Sequence, residues 1–540
     1  MDSREHIEYE EYKEELDVFI SQAKEKRTSL VNEDNKEDKL TLDDSDTIDV
    51  DDIIITHFDS DKEEKMPIKK LPIKKIKQKN TGDLLSKNSS IKLALITLLF
   101  IPGLFVLFMI GKHSSYLIRV PFFFIIILLL VGLTILFGYS IYCYKNSDGE
   151  RKRLFKKFVR SLLIAFYTLY ILGCIVFTLL LYGPNKKFKD WFVTTAMSSM
   201  NHQYLCKWFY GEKDIKDVQK RNHVVEPKGS TDPSKINTKP KEEEPEKEPE
   251  YNEYEKQIMI HEKDERYKIV TFEVNGATAY LAAIYDPADI SVEITKDLFQ
   301  TGEYATSMAA RTPGSYLGIN AGGFIDNGTR QGYGQFPNGI VIVDKQIITN
   351  NEYGVTTSEG GIIGLTDDNV LVLLKDKTAE EAIQMGVRDA VSWGPFLIVN
   401  GEKAEVYGNG GWGGGARTAI GQRQDGTILF LVVDSDPYRT KGAQMNDLVE
   451  IMANYGAYNA TNLDGGTSAV MVAPRNVAIN TYGRDCHDYF SDSFCYINDP
   501  ISAEGYHRTR YIATTFIASY IPSNDNEKDT KKDTKKDAKK

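Results

Sequence analysis

The chain has 540 residues, a formal net charge of -11 at pH 7 and a mean hydropathy of -0.35. This acidic balance gives no indication of a nucleic-acid partner, because nucleic-acid-binding domains usually present clustered Lys and Arg. The five cysteines include no Cys-x-x-Cys pair, and no histidine cluster has metal-site spacing. A structural zinc module is therefore not indicated.

Residues 1–90 are dominated by Asp, Glu and Lys and show no sustained hydrophobic periodicity. Such a segment cannot bury enough apolar surface to offset the entropy of ordering, so we expect a disordered, acidic cytoplasmic tail. Short helical stretches near its start would suit docking to an unknown partner. At the other end, residues 523–540 are equally charged and repetitive, and we expect them to be unpacked.

Three apolar runs without a charged residue follow the tail, at 93–110, 120–144 and 161–182. Each is near or above the roughly 18–20 residues needed to cross the hydrocarbon core of a bilayer, so they predict three transmembrane helices within 91–182. Lys and Arg concentrate at 69–79 and 145–160, which predicts a cytoplasmic N-terminus and an extracytoplasmic C-terminal part. The sequence therefore predicts a multi-pass protein of the cell membrane.

Two connecting segments precede the next change in composition. Residues 183–225 are amphiphilic and rich in aromatic residues, as is typical of a membrane-proximal helix or stalk. Residues 226–255 carry five prolines among charged residues, which predicts a semi-extended spacer that holds the following domain away from the bilayer.

Residues 256–522 read as one folded domain. Short runs of Val, Ile, Thr and Tyr alternate with Gly, Asn and Asp, which predicts many strands joined by turns. Two stretches, 378–387 and 440–457, have the spacing of amphipathic helices. The pattern predicts an α+β extracytoplasmic domain with a large, mostly antiparallel sheet.

Glycine clusters at strand ends mark the candidate site, at 318–328, 392–401, 408–421 and 462–468. Neither a Walker-type phosphate loop nor a dinucleotide-binding GxGxxG motif is present. Arg417 follows three glycines, and its guanidinium suits bidentate capture of a phosphate or carboxylate. Asp464 lies in a tight turn followed by Thr467 and Ser468, whose hydroxyl and amide groups suit an anion-binding concavity. Asn320 is a candidate to orient a substrate hydroxyl, although it also suits an ordinary turn.

The sequence between 267 and 521 resembles the phosphodiester glycosidase family, in its Gram-positive membrane-anchored type. The resemblance rests on four motifs taken together and in this order: Asn320-Ala321-Gly322-Gly323-Phe324, Gly394-Pro395-Phe396-Leu397, Ala416-Arg417-Thr418-Ala419-Ile420-Gly421 and Asn462-Leu463-Asp464-Gly465-Gly466-Thr467-Ser468. Thr467 stands where the family more often has glycine, and this difference bears on which substrate fits.

The resemblance implies hydrolysis of a sugar-1-phosphodiester at the anomeric C–O bond. A phosphomonoester is a better leaving group than an alcohol, because its second pKa is only about 6. Arg417 and main-chain donors are expected to stabilise the departing charge. Asp464 is the expected base or nucleophile, Asn320 shares the catalytic site and Asp434 is a reserve carboxylate. The expected phosphate- and substrate-binding residues are Gly322, Gly323, Thr418, Gly465, Gly466, Thr467 and Ser468.

Two alternative hypotheses about the function stay open. A phosphodiesterase that cuts P–O bonds would use the same arginine but usually needs a divalent metal, for which no ligand set is evident. A non-catalytic module that binds envelope glycan is the other alternative. No cofactor is required with certainty. Cys486 and Cys495 are a candidate disulfide pair in an oxidising exterior. The expected substrate is a phosphate-linked glycan of the cell envelope, such as teichoic acid or exopolysaccharide.

Overall fold

A computed structural model describes residues 101–113, 149–198, 203–238, 250–325, 333–350, 360–436, 442–484, 491–500 and 509–521. All of these residues belong to one compact unit, Ile96–Lys540. The predicted tails, 1–90 and 523–540, and the second predicted membrane span, 120–144, lie outside the described residues.

Two helices occupy the region of the other predicted spans. Helix α1, Ile101–His113, overlaps the end of the first predicted span, and helix α2, Gly149–Tyr182, contains the third. Over Ile164–Tyr182, α2 has a mean hydropathy of 2.3 with 6% of this stretch buried. By length and composition, it is the one helix in the described part of the chain that is able to cross a membrane. Of the three predicted spans, the third is therefore the one that the described residues support as a membrane helix.

A cluster of three short helices follows α2: α3 (Lys186–Met197), α4 (Gln203–Phe209) and α5 (Glu212–Arg221). The side chain of Asn185 accepts a hydrogen bond from the main-chain N–H of Lys187 at the start of α3, which is the usual role of an N-cap residue. We call these helices the membrane-proximal cluster, after the position that the sequence predicts for them. They share a small apolar core made of Leu181, Val193, Ala196, Cys206, Tyr210, Ile215 and Val218. The segment predicted as a stalk is thus a packed unit.

The largest sheet has seven strands: β2 (Tyr267–Val274), β3 (Ala277–Ile284), β13 (Phe396–Val399), β14 (Glu402–Lys403), β16 (Arg417–Arg423), β17 (Ile428–Val433) and β18 (Ala457–Asn462). Their order across the sheet is β14-β13-β18-β16-β17-β3-β2, and neighbouring strands are antiparallel. Strand β16 lies at the centre, so its first residues meet the last residues of both β17 and β18.

The described residues also form two five-stranded sheets. One contains β4 (Ile290–Ile294), β5 (Ser315–Asn320), β19 (Met471–Pro474), β20 (Phe494–Tyr496) and β21 (Thr514–Ser519), in the order β20-β19-β5-β21-β4. The other contains β8 (Ile340–Val343), β9 (Gln346–Asn350), β10 (Gly361–Thr366), β11 (Leu371–Leu374) and β12 (Val387–Trp393), in the order β11-β10-β12-β8-β9. Two short antiparallel pairs join β1 (His223–Val225) with β15 (Glu405–Tyr407) and β6 (Phe324–Ile325) with β7 (Phe336–Pro337).

Strand β17 shows how the central sheet is buried on both faces. Ile428, Phe430 and Val432 enter a core shared with the two smaller sheets. The alternate residues Leu429 and Leu431 face a second core on the opposite side. Successive side chains of a strand point to opposite faces, so a continuous apolar run fills both cores at once. A fully buried side chain of this size contributes about 1.5–3 kcal/mol.

Five helices pack around the sheets: α6 (Glu253–Met259), α7 (Ala305–Arg311), α8 (Ala379–Gln384), α9 (Met445–Asn454) and α10 (Arg475–Tyr482). Helices α8 and α9 lie in the two stretches predicted as helical. The residues buried by α9 are Met445, Leu448, Val449 and Met452, which are the apolar positions of its helical pattern. Antiparallel sheets with a minority of helices confirm the predicted α+β class.

The start of the predicted spacer is attached to the domain, so that prediction is wrong for residues 226–238. Strand β1, which immediately precedes this segment, pairs with β15. The side chain of Glu226 is 2% exposed and forms an ion pair with Lys375 at 2.5 Å. Its carboxylate also accepts hydrogen bonds from the main-chain N–H groups of Gly360 at 2.5 Å and Phe396 at 2.7 Å. These partners are distant in sequence, which is why composition alone indicated a spacer.

Candidate active site

The turn that follows β18 is held by main-chain hydrogen bonds to two neighbouring segments. The N–H of Leu463 donates to the carbonyl of Thr418 at 2.8 Å, and the N–H of Gly466 donates to that of Ala416 at 2.8 Å. The N–H of Asp464 donates to the carbonyl of Ala321 at 3.1 Å. A 3₁₀ turn, Gly466–Ser468, completes the segment. Asp464 is therefore placed, half-buried, where the ends of β5 and β18 meet the start of β16.

Asn320 is the last residue of β5, and its side chain joins three segments. Its Nδ2 donates to the carbonyl of Asp464 at 2.7 Å. Its Oδ1 accepts from the hydroxyl of Thr418 at 2.7 Å and from the N–H of Val470 at 3.0 Å. Asn320 is 1% exposed. With these partners the side chain of Asn320 holds the turn in place, and its expected contact with a substrate hydroxyl stays a prediction.

Arg417 begins β16 and lies buried beneath the turn. Its Nη2 donates to the carbonyls of Trp412 at 2.8 Å and Gly413 at 2.9 Å, and its Nε donates to that of Ala443 at 3.3 Å. Both hydrogens of Nη2 are thus committed to main-chain oxygens, and the expected bidentate grip would require these bonds to break. Nη1 lies next to Gly465, because a Cβ added to this glycine would be 3.4 Å from Nη1.

Burial lowers the pKa of Arg417 to about 10, and the nearby carboxylate of Asp464 acts in the opposite direction. A guanidinium with this pKa remains charged at neutral pH. Its field is poorly screened because it is removed from water. The structure therefore places a buried cation near enough to the carboxylate of Asp464 for the two charges to attract each other.

Asp434 follows β17 at the same end of the sheet. Its carboxylate accepts from Nδ2 of Asn498 at 2.8 Å and from the N–H of Asp499 at 2.9 Å. Burial raises its pKa to about 6, against the lowering effect of these hydrogen bonds. Asn498 also donates to the carbonyl of Ala469 at 3.2 Å and accepts from the N–H of Met471 at 2.9 Å. Through Asn498, Asp434 supports the far side of the turn.

The remaining predicted binding residues divide into buried and accessible ones. Thr418 and Ser468 are 0% and 2% exposed, and Thr418 is used by Asn320. Gly465, Gly466 and Thr467 form the partly exposed part of the turn. Nη1 of Arg510 lies 3.5 Å from the hydroxyl of Thr467. Arg510 is a second cation at the site, and no sequence pattern around it indicated this position.

Gly322 and Gly323 follow Ala321, which contacts the Asp464 turn, and both glycines are buried. The N–H of Gly322 donates to the hydroxyl of Thr514 at 3.1 Å. A Cβ at Gly323 would lie 1.8 Å from the indole of Trp393, so the two surfaces are in close contact. The indole of Trp393 meets that of Trp412 edge to face, with ring centroids 6.2 Å apart. Sequence reasoning missed both tryptophans, although each lies inside a glycine cluster that it had singled out.

Two predictions concerned metal and disulfide chemistry. Within the described ranges, no group of three or more His, Cys, Asp or Glu side chains is arranged to hold a metal ion. Cys495 is disulfide-bonded, whereas Cys174 and Cys206 are free. Cys486, its predicted partner, lies outside the described residues.

Comparison with known proteins places the site in a matched segment. Residues 313–518 match the family model described as phosphodiester glycosidase. The SPbeta prophage-derived uncharacterized protein YomE of Bacillus subtilis (strain 168) is 28% identical over 186 residues, which are 33% of this chain and 28% of that protein. The match therefore spans less than a third of the length of this curated relative.

Three solved structures each align with a little under half of this chain. The catalytic domain of zebrafish N-acetylglucosamine-1-phosphodiester alpha-N-acetylglucosaminidase, auto-inhibited by its pro-peptide, is 20% identical with a TM-score of 0.36, over 48% of this chain and 86% of that one. A putative exported protein of Burkholderia pseudomallei K96243 is 18% identical with a TM-score of 0.30, over 45% and 74%. A hypothetical protein from Synechocystis is 15% identical with a TM-score of 0.28, over 46% and 62%.

Proposed function

Residues 313–518 of this chain belong to the phosphodiester glycosidase family, and from this premise we propose that the chain hydrolyses sugar-1-phosphodiesters by cleaving the anomeric C–O bond. The observation that carries the proposal is the buried guanidinium of Arg417 beneath the turn that bears Asp464. A buried cation beside a half-buried carboxylate suits a reaction in which negative charge leaves with a phosphate group.

In the proposed reaction, a water oxygen forms a bond to the anomeric carbon as the bond from that carbon to the phosphate oxygen breaks. The electron pair of the broken bond leaves with the phosphate, whose developing charge is stabilised by Arg417 and by the N–H group of Gly465. Asp464 takes the proton of the attacking water. In an alternative course Asp464 attacks first and water then releases the sugar. Arg510, close to Thr467, is a further candidate to meet the phosphate.

Asp434 remains the reserve carboxylate of this proposal. Its two hydrogen-bond donors and its connection through Asn498 to Ala469 support a positioning role. A carboxyl whose pKa is raised to about 6 is partly protonated near neutral pH, which is also a property of a general acid. Replacement of each carboxylate separately distinguishes these roles.

The proposed substrate is a phosphate-linked glycan of the cell envelope, such as teichoic acid or exopolysaccharide. The apolar helix α2, with its exposed stretch Ile164–Tyr182, supports anchoring in a membrane. The basic residues at 145–160 on the N-terminal side of that stretch support a cytoplasmic start and an extracytoplasmic domain. The further spans expected from the sequence belong to this proposal as a multi-pass arrangement.

The test uses the full chain in detergent, incubated with N-acetylglucosamine-1-phosphodiesters and separately with purified wall polymer, and measures free reducing sugar. We expect release by the unaltered chain and a loss of at least about 100-fold in Asp464→Asn, which removes the base or nucleophile. The matched control is Asp367→Asn, because Asp367 lies in an exposed ion pair with Lys345. Full activity of Asp464→Asn would overturn its proposed role.

Water enriched in oxygen-18 tests which bond breaks. Label in the released sugar supports C–O cleavage. Label in the phosphate instead identifies a P–O-cleaving phosphodiesterase, and sensitivity to a chelator would then follow from the metal that such enzymes usually use. Polymer binding without any release, unchanged in Asp464→Asn, identifies a glycan-binding module.

A further inference from the structure

The eight residues 408–415, between β15 and β16, form a segment that we call the glycine loop. Two of its main-chain carbonyls, those of Trp412 and Gly413, accept both hydrogen bonds from Nη2 of Arg417, at 2.8 and 2.9 Å. The position of the guanidinium therefore depends on the position of this loop. Because the loop has few side chains to pack with, its own contacts provide little rigidity.

Helix α3 of the membrane-proximal cluster holds the loop from one side. The Nδ2 of Asn409 donates to the hydroxyl of Thr194 at 2.8 Å. Thr194 is fully buried, and its hydroxyl in turn donates to the carbonyl of Asp190 at 2.7 Å. The next residue, Thr195, packs on Gly413 so closely that a Cβ there would lie 2.3 Å from its hydroxyl oxygen. The loop is thus fitted against one turn of α3.

Asn222, just after α5, holds the loop from the other side. Its Oδ1 accepts from the N–H of Asn409 at 3.1 Å, and its Nδ2 donates to the carbonyl of Val218 at 2.9 Å. A Cβ at Gly408 would lie 2.1 Å from this Oδ1, so glycine is required for the close approach. Asn409 therefore receives contacts from both ends of the membrane-proximal cluster.

The cluster itself is joined to the apolar helix α2. The hydroxyl of Tyr210 donates to the carbonyl of Leu181 at 2.9 Å, and the hydroxyl of Tyr182 donates to that of Phe209 at 3.1 Å. Contacts between described residues thus run continuously from the end of α2, through Thr194 and Asn409, to Arg417. The helices that supply them lie outside residues 313–518, the part matched by the family model.

We propose that Thr194 and Asn409 are positioning residues for Arg417, so that the helices preceding the domain complete its active site. The proposal rests on the proposed function for its kinetic part. Thr194 itself is not proposed to contact the reacting groups. It acts by fixing the glycine loop, whose carbonyls fix the guanidinium. The site would then be built by the membrane-proximal cluster and the glycosidase domain together.

The kinetic test uses the full chain and three threonine variants. Thr194→Val keeps the shape of the side chain but removes the acceptor for Asn409, and we expect kcat/KM to fall roughly tenfold, mainly through kcat. Thr194→Ser restores the hydroxyl and should recover most of the loss. Thr178→Val is the matched control, because the hydroxyl of Thr178 donates within its own helix, α2, to the carbonyl of Cys174 at 2.8 Å. Its kinetics should be unchanged.

A double-mutant cycle separates positioning from a general structural effect. If Thr194 acts through Arg417, adding Thr194→Val to Arg417→Lys should cost less than about twofold beyond Arg417→Lys alone. Independent losses that multiply would overturn the proposal. Unaltered kcat/KM in Thr194→Val would overturn it as well.

Hydrogen–deuterium exchange tests the same contact without any substrate. In Thr194→Val, the amides of residues 408–417 should exchange at least about tenfold faster than in the unaltered chain, and Thr178→Val should leave them unchanged. If the unaltered chain releases no sugar, the proposed function fails while this measurement still decides on the positioning contact. Unchanged exchange in Thr194→Val would reject that contact whatever the sugar assay shows.

Discussion

Asn320 donates its side-chain amide to the main-chain carbonyl of Asp464 over 2.7 Å, although 144 residues separate them in the sequence. The same side chain accepts from Thr418 and from the N–H of Val470. One buried amide thus fixes β5, β16 and the turn after β18 relative to each other. A buried polar group whose hydrogen bonds are all made gives a defined geometry, and leaving its partners unpaired is costly.

Replacement of Asn320 should separate its two functions. Asn320→Ala leaves the donors of Thr418 and Val470 and the acceptor of Asp464 without this partner, so we expect about 2–4 kcal/mol of destabilisation and loss of activity. Asn320→Asp keeps the acceptor but lacks the donor to Asp464. We expect it to lose activity as Asn320→Ala does, but to unfold at a higher temperature than that variant. Thermal unfolding and sugar release of the full chain measure both. Equal behaviour of the two variants would contradict this division.

Arg417→Lys tests whether the planar guanidinium matters beyond its charge. An ammonium cannot reproduce the Nε and Nη2 bonds to three carbonyls, so it should occupy a different position. We expect kcat/KM to fall by about 100-fold or more, as when a donor to developing negative charge is lost. Arg475→Lys, at a partly exposed position in α10, serves as the control. Activity near that of the unaltered chain would show that charge alone suffices.

Two glycines of the site should respond differently to alanine. In Gly323→Ala the new Cβ would lie 1.8 Å from Trp393, so the indole must shift, at a cost of about 2–3 kcal/mol. In Gly466→Ala no atom lies within 4 Å of the new Cβ, and the cost of about 1 kcal/mol comes from its φ of +62°. Thermal unfolding of both variants gives the comparison. Adding Trp393→Phe should rescue only Gly323→Ala, and rescue of neither would contradict the steric explanation.

Asp434 should make stability fall as pH rises. Burial raises its pKa from 3.8 to about 6, so between these values the folded chain holds a proton that the unfolded chain has lost. Its contribution is complete below pH 3.8 and is lost as pH rises through 6, by up to about 3 kcal/mol. Asp434→Asn should flatten the unfolding temperature across this window, whereas Asp367→Asn should not. An unchanged slope in Asp434→Asn would refute the shifted pKa.

Much of the sheet could be predicted from the sequence, because strand signals are local. The run at β2 and the helical spacing of Met445, Leu448, Val449 and Met452 correspond to observed elements. The membrane helices were predicted from hydropathy alone, and only α2 can be examined over its full apolar stretch. The glycine clusters located the site because close approach of main chains requires glycine at several points along the sequence.

What the sequence could not show was the set of partners across the fold. Asn320 has the same local sequence whether it binds a hydroxyl or holds a turn. Its hydrogen bonds with Asp464, Thr418 and Val470 are visible only in the structure. Glu226 stands among prolines and charges typical of a spacer, and its burial depends on Lys375 and Phe396. The role of Trp412 is evident only from the structure, in which its main-chain carbonyl accepts a hydrogen bond from Arg417.

The attachment of residues 223–237 to the domain has a consequence for proteolytic shedding. If a protease cut within 239–249, the two fragments would remain associated through the β1–β15 pair, the buried Glu226 and the hydrogen bonds between Thr231 and Leu373. The product would run as two chains in a denaturing gel and as one particle in a native one. Under the proposed anchoring, release of an intact enzyme from the cell surface needs a cut near 183–185, between α2 and α3. It must also break the contacts of Tyr210 with Leu181 and of Tyr182 with Phe209, so that the membrane-proximal cluster leaves with the domain.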